Sequence, residues 1–280
     1  MKTGALYRQI RDQFRGGKLE TPELDAKLLV SAALRISVSE LLLSESEEVP
    51  DAAAGIALEY ATQRLNGKPV GRILGEREFY GRTFRLNHAT LEPRPDTETL
   101  IETVLKDCDT VRPLTMCDIG TGTGAIAVTL LAELSKAIMV AVDISEAALG
   151  CAASNADNHG ICDRFLPIRG DYAAALQHGF DWVISNPPYI RTPVLSELSK
   201  DVLQHDPILA LDGGADGLQA YRQIVSQAAS ILVPGGRIAL EIGYDQGEEL
   251  KNQLRHHGFE AIDIIQDLGG RDRVATARRV

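Results

Sequence analysis

Leu114-Thr115-Met116-Cys117-Asp118-Ile119-Gly120-Thr121-Gly122-Thr123-Gly124 sets the architecture of the second half of the chain. The apolar run predicts a buried strand, which turns at once through three alternating glycines into a helix beginning near Ala125. Strand, glycine turn and helix open a nucleotide-binding α/β unit: the glycines let the backbone approach a ligand and the helix start offers free N–H groups. A second apolar run, Ile138 to Val142, ends in Asp143, 19 residues after Gly124, where such folds carry the carboxylate that binds a ribose diol. A dinucleotide pyrophosphate prefers Gly-x-Gly-x-x-Gly, but position 125 is Ala, so a dehydrogenase fits poorly. Asp118, just before the turn, disfavours an anionic ligand and suits an adenosine that carries a positive sulfonium and an amino acid.

The alternation continues downstream. A helix is expected from Glu146 to about Asn158, then a third strand, Phe165 to Arg169, ending at Gly170-Asp171-Tyr172. There Asp171 would accept a hydrogen bond from an adenine amine and Tyr172 would cover the base. The fourth strand, Trp182 to Ile184, stops at Asn186-Pro187-Pro188-Tyr189. Each proline holds the residue before it extended, and neither has an N–H with which to extend a ladder. One amide side chain and one or two free carbonyls are thus held beside an aromatic ring. This lip lies at the same sheet edge as the glycine turn and Asp143, where ligands of open α/β sheets bind. The next loop contains Asp201, His205 and Asp206; with no nucleophilic Ser or Cys motif beside it, His205 is read as an ordinary loop histidine. A helix from Leu218 to Leu232, a turn at Pro234-Gly235-Gly236, a strand from Arg237 to Ile242 and a helix from Gln246 to His257 follow. Runs Ala261 to Ile265 and Arg273 to Ala277 finish the sheet, the closing strand antiparallel.

Upstream, residues 1–75 read as a bundle of four or five short helices, with apolar spacing in Leu24, Leu28, Leu29 and Ala32 and in Ile56, Tyr60 and Leu65. This part contains no histidine and looks suited to recognition. Residues 76–95 read as a β-hairpin linker, and 96–280 as the catalytic domain. Arg94 is taken as a solvated linker charge, and Asp96 or Thr97 as the cap of a helix running to Lys106.

Composition narrows the function. The 280 residues are 44% hydrophobic and 24% charged, as in ordinary globular proteins. No apolar stretch approaches the ~20 residues that span a bilayer, and the start lacks a signal-peptide pattern; a cytoplasmic protein without membrane contact is expected. Four cysteines without a CxxC pair predict reduced thiols and no metal site. The net charge is -10, and residues 1–75 hold ten acidic and ten basic side chains, so the excess lies in the remainder. That balance disfavours direct nucleic-acid binding and suits a basic protein partner.

Gly120-Thr121-Gly122-Thr123-Gly124, Asp143 and Asn186-Pro187-Pro188-Tyr189 resemble the signatures of class I S-adenosylmethionine methyltransferases that act on a planar NH2 group. Phe79-Tyr80-Gly81, Pro93 to Glu98, Asp216-Gly217-Leu218 and Leu268 to Val274 extend the resemblance to the HemK/PrmC family over nearly the full chain. Glu92 and Tyr172 depart from the family, which has aliphatic residues and, in some members, tryptophan there. The resemblance implies a Rossmann-like, seven-stranded mixed sheet after a helical bundle and hairpin. It also implies S-adenosylmethionine as methyl donor, S-adenosylhomocysteine as product, and class I peptide chain release factors as partners, methylated at N5 of the Gly-Gly-Gln glutamine. A monomer is expected. Gly120 to Gly124, Asp143, Asp171, Tyr172 and Asn186 would hold the cofactor. Asn186, Pro187, Pro188 and Tyr189 would bind substrate, with Asn186, Pro187 and Tyr189 catalytic. The rivals are a DNA or RNA amino-methyltransferase, acting on adenine N6 or cytosine N4, and a binding module without activity.

Overall fold

The computed structural model describes residues 1–280, apart from the side chain of Lys200. The chain packs as two units, residues 1–76 with 200–205 and residues 77–199 with 206–280. In the first unit, α1 (Thr3–Gly16) buries Leu6, Ile10 and Phe14, four residues apart on one face. α2 (Pro22–Leu34) has proline at its first position, where a missing N–H costs little, and α3 (Val38–Leu43) starts from a capping box of Ser37 and Glu40. α4 (Asp51–Leu65) and α5 (Val70–Leu74) complete the bundle.

The buried faces differ from the expected ones. Leu29 is buried as expected, but Leu24, Ile56 and Leu65 are exposed, and Ala26, Val30, Ala57 and Ala61 are buried instead. α2 and α4 carry apolar residues around much of their circumference, so spacing alone does not select a face.

A two-residue turn, Tyr80-Gly81, with both φ angles positive at 51° and 68°, joins β1 (Glu76–Phe79) to β2 (Arg82–Arg85). That is the backbone a tight hairpin requires. Phe79 and Phe84 fix it to the core beneath.

Next come α6 (Glu98–Asp107), β3 (Leu114–Ile119), α7 (Ala125–Glu133), β4 (Ala137–Asp143), α8 (Glu146–Asn158), β5 (Phe165–Arg169) and β6 (Phe180–Ser185). α9 (Lys200–His205), predicted as loop, packs into the first unit, where Arg64 pairs with Asp25 at 2.7 Å and Asp201 at 3.3 Å. The rest is α10 (Gln219–Ile231), β7 (Leu232–Glu241), α11 (Gly247–His256), β8 (Phe259–Gln266) and β9 (Asp272–Arg279).

The sheet runs β5-β4-β3-β6-β7-β9-β8, with β9 antiparallel to both neighbours. One apolar core lies on each face. Pro234-Gly235-Gly236, expected as a turn, lies inside β7 as a bulge, because the register jumps from Phe180 opposite Leu232 to Trp182 opposite Arg237. Neither Asp96 nor Thr97 caps α6 through its side chain; a 3-10 turn at Pro95–Thr97 leads in instead. No described helix is long and apolar enough to cross a membrane.

Register positions the site. Ile119 pairs with Val142 and Ser185, and Ser185 with Leu240. The next residues, Gly120, Asp143, Asn186 and Glu241, therefore emerge together at the carboxyl edge, where the strand order reverses.

Candidate active site

The glycine turn is built around its own backbone. Gly120, Gly122 and Gly124 all have positive φ, 73°, 54° and 78°. A Cβ on Gly124 would lie 3.1 Å from that of Ala152, so the third glycine admits α8. Asp143 braces the turn from β4: its carboxylate accepts the Gly122 N–H and the Ser145 N–H, both at 2.9 Å.

Thr121 and Thr123 stand behind the turn. The Thr121 hydroxyl donates to Asp118 at 2.7 Å, and the Thr123 carbonyl accepts from Asn155 at 2.8 Å. Asp118 is fully buried, and burial pushes its carboxyl up to about 7, with the Thr121 hydroxyl opposing. Its Oδ1 makes no hydrogen bond of good geometry, the Ala127 N–H helping only weakly. Asp118 thus supports the turn from inside the sheet, and the charge-matching role expected for it at the ligand is not what its placement provides.

Over the turn lies a cleft of ≈ 1020 Å³, counting the part open to solvent. Gly120, Gly122, Asp143, Asp171, Tyr172, Asn186 and Pro188 line it; Thr121, Thr123 and Gly124 do not. Tyr172 is half-buried with positive φ, 50°, and Asp171 beside it is exposed.

A second, smaller cleft of ≈ 290 Å³, again counting the part open to solvent, adjoins it, lined by Asn186, Pro187 and Tyr189 together with Arg94 and Glu241. Asn186, Leu91 and Ala210 line both clefts. The Asn186 NH2 donates to Thr97 Oγ1 at 3.2 Å, which turns the carboxamide oxygen the other way. Among the described residues no donor reaches the Pro187 carbonyl. The lip is held from behind: Gln246 donates to the Tyr189 carbonyl at 3.0 Å and to the Gly217 carbonyl at 3.1 Å. Burial pushes the Tyr189 hydroxyl up to about 12, with Glu241 adding to the shift, so it stays protonated.

Three residues in or against this smaller cleft lay outside the expected set. Arg94, read as a solvated charge, lines it. Thr97, read as a cap, orients Asn186. Glu241 lies at the end of β7, 1% exposed, with the Tyr189 hydroxyl 3.5 Å from Oε1 and no partner of good geometry for Oε2. The available signal was an acid closing the apolar strand Ile238-Ala239-Leu240 at the ligand-binding edge. Arg273, from the stretch before Val274, is buried between Asp96 at 3.3 Å and Asp267 at 3.1 Å. His205 lies on α9 and lines neither cleft.

A seven-stranded sheet with one reversed strand and a double cleft at its carboxyl edge define a class I methyltransferase. Residues 94–206 match the family model for the Methyltransferase small domain, and residues 5–75 that for the PrmC N-terminal domain. The chain is 40% identical to the release factor glutamine methyltransferase of Agrobacterium fabrum, over 96% of its own length and 94% of that protein. It is 41% identical to that of Moorella thermoacetica, over 98% and 97%. The chain belongs to the release factor glutamine methyltransferase family. The catalytic domain of human METTL16, solved in complex with a MAT2A 3'UTR hairpin, shares the fold at a TM-score of 0.59 and 18% identity, covering 72% of this chain and 77% of that one.

Proposed function

We propose that this protein methylates N5 of the glutamine in the Gly-Gly-Gln motif of class I peptide chain release factors, using S-adenosylmethionine. The observation that carries the reading is Asn186, the polar side chain that lines both the larger cleft over the glycine turn and the smaller cleft beside it. The larger cleft fits the donor: Gly120 leaves open space where a Cβ would stand, and the Asp143 carboxylate is held on its wall to accept from a ribose diol. Asp171 and Tyr172 would flank the adenine. When bound, S-adenosylmethionine supplies a methyl group already activated on a sulfonium.

A carboxamide nitrogen is a poor nucleophile, because its lone pair is delocalised and no side chain readily removes its proton at neutral pH. Asn186 Oδ1 and the Pro187 carbonyl would accept its two N–H groups, keeping the nitrogen in line and favouring the positive charge that develops there. Tyr189, with Pro188 beside it, would pack on the amide plane and exclude water.

Residues 1–75 would recognise the release factor, 76–95 would link, and 96–280 would catalyse. The acid excess of the second part suits a basic protein partner better than nucleic acid. A cytoplasmic monomer completes the proposal. The test is incubation with labelled S-adenosylmethionine and either release factor or DNA, followed by mapping of the label. Label on the Gly-Gly-Gln glutamine is expected; label on a nucleobase would overturn the proposal.

A further inference from the structure

The two ends of an asparagine carboxamide have nearly the same size and shape, so only hydrogen bonding decides which end faces a cleft. For Asn186 the choice matters, since its oxygen can accept a substrate N–H and its NH2 cannot. The partner that decides is Thr97 Oγ1, 3.2 Å from the Asn186 nitrogen. A hydroxyl alone cannot enforce the choice, because it donates as readily as it accepts. It becomes an obligate acceptor only if its proton is committed elsewhere. The buried group that lacks a donor beside this pair is Glu241, which closes β7 one residue beyond the Ser185–Leu240 pair, next to Asn186, and whose Oε2 has no partner of good geometry. The Thr97 hydroxyl helps to hold the charge on that carboxylate.

We infer that Thr97 and Glu241 form a positioning pair, in which the Glu241 carboxylate accepts a hydrogen bond from the Thr97 hydroxyl and thereby obliges Asn186 to present its oxygen to the substrate amide. The inference rests on the proposed reaction and adds residues to its machinery. A protonated Glu241 can donate to Thr97; the Thr97 proton is then free for the Asn186 oxygen, and the carboxamide can turn its NH2 to the cleft.

Charge on Glu241 is set by its surroundings. Burial pushes the carboxyl up to about 7, while Thr97, Arg273 and Arg94 oppose the shift and Asp96 adds to it. The tyrosines facing it, Tyr189 and Tyr221, are both raised by burial and stay neutral. The active, ionised form therefore gains population as pH rises through about 7.

The test is kcat against pH for wild type, Glu241→Gln, Thr97→Val and Thr97→Ser, with binding of S-adenosylhomocysteine measured alongside as a check on folding. Wild type should show an acid limb near pH 7. Glu241→Gln should lose that limb and fall about tenfold or more in kcat at pH 8.5, with cofactor affinity changed less than about threefold. Thr97→Val should fall similarly, and Thr97→Ser should recover most of the loss. The pair is contradicted if Glu241→Gln keeps the wild-type rate and limb, or if Thr97→Ser is as slow as Thr97→Val. If Glu241→Gln fails to bind the cofactor, the two Thr97 variants decide. Wild-type enzyme that leaves release factor unmethylated contradicts the proposed substrate instead, so the two failures are distinguishable.

Discussion

At the residue scale the account turns on Asn186, which faces two clefts and takes its orientation from Thr97. Under the proposed reaction, replacing it by alanine removes the oxygen that would accept from the substrate amide but only a small part of the wall of the larger cleft. Asn186→Ala should lower kcat by about 10²–10³-fold or more, while cofactor binding weakens at most about tenfold, roughly 1.4 kcal/mol. Single-turnover rates and calorimetry check the two halves separately; retained turnover would remove Asn186 from the chemistry. Thr97 and Glu241 show what residue types leave unsaid. A threonine after Pro-Asp before a helix has the form of a cap, and an acid ending a strand has the form of a solvated terminus. Their roles depend on β7 lying beside β6, a pairing between segments distant in sequence.

At the element scale the lip is only as rigid as the loop and helix start behind it. Gly217, with φ +75°, lies where a Cβ would fall 2.5 Å from the Tyr189 carbonyl and 2.7 Å from the Gln246 amide nitrogen. Gly217→Ala should cost about 1–3 kcal/mol or more of stability and lower activity with it. Gly55→Ala is the control: it lies inside α4 with nothing within 4 Å of a new Cβ, and should be neutral or stabilising by about 0.5–1 kcal/mol. Urea melts of both read the difference, and equal effects would remove the steric argument. The elements themselves were legible wherever an apolar run ended in glycine, proline or a capping residue, as at β5 and α8, both predicted to the residue. They were illegible where tertiary context overrode punctuation. Pro234-Gly235-Gly236 reads as a turn but is taken up as a bulge, and α9 reads as loop because its six residues show no repeated apolar spacing.

At the scale of the whole molecule, the two units have separate apolar cores. The alternation after Leu114 was enough to predict the mixed sheet, because each buried strand had to be covered by a helix. The faces of the first bundle were not predictable from spacing, since alanine-rich helices offer several. The carboxyl edge of the sheet brings residues from β3, β4, β6 and β7 together, and that convergence makes one site of segments more than a hundred residues apart. A structure of the protein with S-adenosylhomocysteine and a peptide containing Gly-Gly-Gln tests this most directly. The account predicts the glutamine amide nitrogen about 3 Å from both Asn186 Oδ1 and the Pro187 carbonyl oxygen, with an unobstructed line to the sulfur. A glutamine bound elsewhere, or met by the Asn186 NH2, would contradict it.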